Sequence, residues 1–104
     1  MNDLKFGLQT FDEKKLETIA AITEKTRLQI IFFLGINRRV CVNEIAANFK
    51  ISRPAISHHL KILKNYGIVQ SEKVGQETYY SFMRSNLVKM LRDMADSIEK
   101  CCQE

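Results

Sequence analysis

Proline occurs once in this chain of 104 residues and glycine four times, which leaves no room for a flexible linker, and the length is that of one domain. No apolar run approaches the roughly 18 residues of a membrane span. The N-terminus, Met-Asn-Asp-Leu-Lys, is too acidic and polar for a secretion signal, so the expected location is the cytoplasm, with no membrane partner. Cysteine is scarce and odd in number, three in all, which argues against a disulfide framework and for free or ligating thiols. There is no glycine-rich phosphate loop, no Ser/His/Asp arrangement and no convincing carboxylate pair, so an enzyme is not expected. One local absence is more telling. From Ile51 to Tyr66 there is no carboxylate at all.

That stretch opens with a helix-start signal, Ser52 as N-cap and Pro54 in the first turn, and it stops at Gly67. At ~100° per position, Ile56, Leu60 and Leu63 share one narrow arc. Arg53, Ser57, His58, Lys61, Lys64 and Asn65 spread over the opposite side. An ordinary solvated helix mixes both signs of charge on its polar face. A basic, hydrogen-bonding front without acids suits a polyanion, and the net charge of +4 leans the same way.

The rest of the chain falls into place around it. Residues 1–11 carry no helical period and read as an arm. A first amphipathic helix runs from Asp12 to about Thr23, with Leu16 and Ile19 on its apolar side. Glu24 to Gly35 is a second, apolar over most of its surface and expected as the buried centre, broken by Gly35 and Asn37. Val42 to Phe49 is a short third helix, joined to the basic one by Lys50 and Ile51. After Gly67 two β-prone runs, Ile68 to Val74 and Glu77 to Phe82, flank Gly75-Gln76 as a hairpin. From Asn86 the helical period returns, with Leu87, Leu91, Met94 and Ile98 spaced as a seam for a second chain.

The expected fold is therefore mainly α with a small β-hairpin. It is one winged helix-turn-helix domain over 1–104, with the helix-turn-helix at 42–66, the wing at 68–83 and a dimerisation helix at 86–104. Double-stranded DNA is the expected partner. Arg53, Lys61 and Lys64 would neutralise phosphates. Ser57, His58 and Arg53, nearer the helix start, are the candidates for base edges, and Pro54 belongs to the same DNA-binding face. Lys73 and Gln76 at the wing tip can reach the adjacent groove, and Arg38 and Arg39 can touch phosphates or stay solvated. Adjacent His58 and His59 point about 100° apart and cannot chelate one ion, so no metal is assigned there. His59 turns to the core flank as a hydrogen-bonding residue. The same front would also suit an acidic protein, which makes a winged-helix protein-interaction module the alternative reading.

Thr26-Arg27-Leu28-Gln29-Ile30, Val42-Asn43-Glu44-Ile45-Ala46, Ser57-His58-His59-Leu60-Lys61-Ile62-Leu63 and the paired Tyr79-Tyr80 together resemble the ArsR/SmtB family of bacterial winged-helix repressors. The resemblance runs from about Leu16 to Phe82. It implies a homodimer joined through its first and last helices, sitting on a palindromic operator and blocking transcription until an inducer arrives. The family's inducer sites are matched only in fragments. Its arsenic-type Cys-Val-Cys-Asp-Leu stands here as Cys41-Val42-Asn43-Glu44-Ile45. Its zinc-type positions fall on Arg84, Asn86, Ser97 and Lys100, none a good ligand, and the second-helix cysteine of its sulfur sensors falls on Phe32. Cys101-Cys102 is similar to the vicinal pair of arsenite-binding members. The thiols Cys41, Cys101 and Cys102 thus admit arsenite or another soft metal ion, reactive sulfur or oxidants, or no sensing at all, with Cys41 a small buried hydrophobe.

Overall fold

The structure, a computed structural model, describes residues 13–101, with nothing beyond the backbone for Cys101. Residues 1–11, expected as an arm, and Cys102 lie outside them. The elements run α1 (Glu13–Ile22), α2 (Lys25–Asn37), β1 (Arg39–Cys41), α3 (Val42–Phe49), α4 (Arg53–Asn65), β2 (Val69–Val74), β3 (Glu77–Phe82) and α5 (Arg84–Cys101). The strands form one antiparallel sheet in the order β1-β3-β2.

The sheet is one strand larger than the expected hairpin. Arg39, Val40 and Cys41 pair with Ser81, Tyr80 and Tyr79. Three residues are too few to show a strand period, and what makes the strand is an edge offered by β3, a tertiary effect. The β2–β3 turn is as read: Val74 pairs with Glu77 across Gly75-Gln76, and Gly75 takes a φ of 64°.

The helix α2 corrects two further expectations. It does not break at Gly35 but continues to Asn37, and Arg38 takes the positive φ of 69° just past its end. Phe82 packs beside Gly35, where an added Cβ would come 3.5 Å from the ring. Nor is α2 buried all round. Ile30, Ile31 and Leu34 are in the core, whereas Phe32 is 64 % and Ile36 80 % exposed. Its apolar surface therefore serves two sides, and only one belongs to the core of the domain.

That core is built from Ile22, Ile30, Ile31, Leu34, Val40, Ile45, Ile56, Leu60, Leu63, Ile68, Val69 and Leu87. Every helix and two strands of the sheet contribute to it, and α4 alone supplies three members. Leu87, expected at a seam between chains, is instead 7 % exposed and inside this core. It anchors the start of α5, assisted by Asn86, whose Nδ2 donates to the Gly67 carbonyl at 2.8 Å. Past Met90 no residue of α5 between 91 and 100 is buried.

Candidate nucleic-acid interface

The helix α4 is set at both ends by its own residues. The Ser52 hydroxyl accepts from the Ala55 N–H at 3.3 Å, and Pro54 lies in the first turn, where its lack of an N–H costs nothing. At the other end Gly67, with φ 73°, lets the Ile68 N–H reach the Leu63 carbonyl and its own N–H reach that of Lys64, both at 3.0 Å. This is the Schellman closure, and Ile68 buried beside Leu63 completes it. The chain leaves α3 through Lys50 in the left-handed conformation, φ 55°, with the Ile51 N–H donating back to the Ala46 carbonyl at 3.4 Å. A positive φ on a lysine turns the backbone sharply enough to lay α4 across α3.

Between these ends the two faces separate completely. Ile56, Leu60 and Leu63 are fully buried. Arg53, Pro54, His58, Lys61 and Lys64 are exposed and Ser57 is half-buried, with no acid in α4 to neutralise them. Lys73 and Gln76 are exposed at the wing tip. The cationic residues of α4 are not equivalent, however. Lys64 Nζ donates to Ser71 Oγ on β2 at 2.7 Å, so this lysine also ties the helix to the wing. Arg39 is engaged as well: its guanidinium is 3.1 Å from Glu72 and lies 4.6 Å above the Tyr79 ring, one contact spanning three strands. At 47 % and 70 % side-chain exposure this pair adds little stability, but it draws Glu72 towards Arg39 across the sheet.

His58 and His59 diverge as their spacing requires, with ring centroids 6.2 Å apart and planes tilted by 53°. His58 faces solvent. His59 is 18 % exposed, and its Nδ1 lies 3.3 Å from Arg27 Nη1 and 3.9 Å from Glu24 Oε1. Burial pushes the His59 pKa below its usual value, Arg27 and His58 push the same way, and Glu24 opposes them. The Glu24 carboxyl is held below its usual range, first by the N–H of Arg27 that it caps at 2.9 Å. Sequence reasoning found the inward turn of His59 but not its partner. Arg27 and His59 are 32 positions apart, and no spacing rule links them.

Among the thiols, only Cys41 can be placed. It is 7 % exposed, lies opposite Tyr79 in the sheet and precedes α3, and its N–H donates to Glu44 Oε1 at 3.1 Å. Among the described residues no group of His, Cys, Asp and Glu is arranged to hold a metal ion, and no helix is long and apolar enough to cross a membrane. The Cys101 side chain and Cys102 lie outside the described part of the chain.

A short helix, a left-handed turn, an acid-free helix and a hairpin packed on its C-terminal end define a winged helix-turn-helix protein. The sequence profile of the bacterial regulatory proteins of the arsR family matches residues 24–71. The transcriptional repressor SdpR of Bacillus subtilis is 36 % identical over 80 residues, covering 77 % of this chain and 88 % of SdpR. A homolog of the transcriptional repressor SmtB from Synechocystis is 30 % identical over 88 residues, 85 % of this chain but 66 % of the relative's own length. An ArsR-like transcriptional regulator from Rhodococcus superposes with a TM-score of 0.71 at 31 % identity, covering 80 % of this chain and 77 % of the other. The chain belongs to the ArsR/SmtB family of winged-helix transcriptional regulators.

Proposed function

We propose that the protein is a homodimeric repressor that lays α4 of each protomer in the major groove of a palindromic operator and is released by an inducer. The observation that carries this reading is the acid-free front of α4, displayed on a fully buried apolar back and flanked by a wing. Lys61 and Arg53 supply phosphate contacts, Ser57 and His58 face base edges, and Lys73 and Gln76 extend the footprint to the next groove. Fluorescence anisotropy with duplexes selected from genomic DNA, at two salt concentrations, tests it directly. Affinity indifferent to salt would sink it and would turn attention to an acidic protein partner.

The apolar residues the protomer leaves outside support a dimer. Leu91 is 45 %, Ile98 52 % and Val88 38 % exposed along α5, and Met94 is half-buried between them. Leu16 and Ile19 are half-buried on α1, which meets α5 where Lys15 Nζ donates to Asp93 Oδ2 at 3.3 Å. Leu87 drops out of this seam because the core already holds it. The double substitution Leu91→Glu/Ile98→Glu replaces no core residue, so it should convert dimer to monomer in sedimentation equilibrium and leave the circular dichroism spectrum intact. A dimer that survives it would place the interface elsewhere.

Release through thiols is the finer part of the proposal. With Cys41 enclosed, a thiol-directed inducer such as arsenite or reactive sulfur would act first on Cys101 and Cys102, which stand adjacent in the sequence. Native mass spectrometry of anaerobic protein offered arsenite, cadmium or an organic persulfide should show adducts that Cys101→Ser/Cys102→Ser lacks. Identical masses for the two would remove the thiols from the mechanism.

A further inference from the structure

Arg27 stands where three helices meet. Its Nε donates to the Ala21 carbonyl at 2.7 Å, one of the last-turn carbonyls of α1 that lack a helical donor of their own. Its backbone N–H holds the Glu24 cap of α2. Its Nη1 reaches His59 Nδ1 on α4 at 3.3 Å. A guanidinium has only donors, so this last contact is a hydrogen bond only while Nδ1 is bare and the imidazole carries its proton on Nε2.

We propose that Arg27 and His59 are positioning residues for DNA reading, fixing the roll of α4 against the α1–α2 corner while His59 is uncharged. The inference rests on the DNA-binding reading above and deepens it. Apolar packing is non-directional: Ile56, Leu60 and Leu63 keep α4 attached but define its rotation about its own axis only loosely. A hydrogen bond has direction, and this one acts one residue from His58 on the reading face. Its other end is fixed to α1, the helix that carries Leu16 and Ile19 of the proposed seam. Within a protomer the lock therefore connects the dimer interface to the reading helix. In a dimer whose two helices enter successive grooves, an error in roll would be made twice.

Protonation would open the lock. His59 faces Glu24 and Arg27 from α2 and His58 from its own helix, and Glu17 and Tyr66, whose Oη is 3.4 Å from Glu17 Oε1, border the same corner. With a proton on Nδ1 the ring becomes a donor aimed at a donor. Arg27 must withdraw, and Glu24 is drawn from its cap towards the imidazolium. Burial has already moved His59 towards the neutral form. Because the folded pKa is depressed, the unfolded chain takes up the proton first. The stability linked to this group is therefore complete above the ordinary imidazole value of ~6.5 and is lost as the pH falls below it.

The test compares His59→Asn, whose Oδ1 can accept from Arg27 in place of Nδ1, with His59→Ala and Arg27→Met, using anisotropy on one selected duplex. At about pH 7.5, a unit above the ordinary imidazole value, the Ala and Met variants should bind about 30-fold more weakly, the equivalent of one net hydrogen bond of ~1 kcal/mol lost in each of two protomers. His59→Asn should stay within about twofold of wild type. As the pH falls below the ordinary imidazole value of ~6.5, wild type should lose affinity progressively relative to His59→Asn, towards the loss shown by His59→Ala, since the asparagine has no proton to take up. His58 is present in both proteins and cancels from that ratio. If His59→Asn were no better than His59→Ala, or if all three matched wild type while Lys61→Ala still weakened binding, the positioning role would be overturned with the DNA reading intact. If Lys61→Ala were also without effect, the DNA reading itself would fall. Should Arg27→Met lose its thermal transition, the His59 pair decides alone, because it keeps the Arg27 bond to Ala21.

Discussion

Lys61→Ala should weaken binding to every duplex the protein selects, by about the same factor, and flatten the salt dependence. Each phosphate neutralised contributes a slope of about 0.9 in log affinity against log salt, so at ~0.1 M salt one contact is worth about eightfold. A dimer carries the substitution twice, giving a slope smaller by about two and a loss of about 60-fold at that salt. Lys61 is the residue to choose because it is exposed on the acid-free face. Lys64 is the weaker choice: its ammonium already donates to Ser71, and its removal would also loosen the wing from the helix. The uniformity of the loss is the critical readout. A base-reading residue changes which duplexes are preferred, whereas a phosphate contact lowers all of them together. Loss confined to one duplex would move Lys61 from the backbone to a base edge, and no loss at all would remove α4 from the interface.

How much of this was legible in the sequence depends on how local each cause is. The helix α4 could be read almost to the residue, because its cap, proline, apolar arc and terminal glycine all lie within it. The two-residue hairpin turn was legible for the same reason. The strand β1 was not, since Arg39 to Cys41 become a strand only when β3 arrives beside them. Gly35 was misread as a break because a glycine inside a helix and one just past its end look alike in sequence; here Arg38, not Gly35, takes the positive φ. Leu87 carried the same heptad-like spacing as Leu91, Met94 and Ile98, yet the start of α5 is folded onto the core and the rest is not. Periodicity shows that a face is apolar but not whether the same chain or another covers it. The site divides the same way. The basic front could be counted off a helical wheel, while the Arg27–His59 contact joins elements that only the fold brings together.

The neighbouring substitution Leu60→Ala should produce the opposite phenotype to Lys61→Ala. Leu60 is fully enclosed among the buried residues of the core, so truncation removes apolar contact and leaves a cavity that the surrounding helices can only partly fill. Such changes cost ~2–5 kcal/mol, against ~5–15 kcal/mol for the whole stability of a domain. The midpoint of urea unfolding should fall accordingly with little change in slope, since the surface exposed on unfolding is nearly the same. Lys61→Ala, one position on, should leave that midpoint within ~0.5 kcal/mol of wild type, as exposed substitutions do. Conversely, the salt slope of DNA binding should be unaltered by Leu60→Ala under conditions where the variant is folded, because no phosphate contact is lost. The two readouts thus test the orientation of α4 from both sides. A helix rotated by half a turn would exchange the stability phenotypes, with Lys61→Ala shifting the unfolding midpoint and leaving the salt slope unchanged, and Leu60→Ala leaving the midpoint in place. That exchange would refute the placement of the reading face itself, independently of which operator the protein selects.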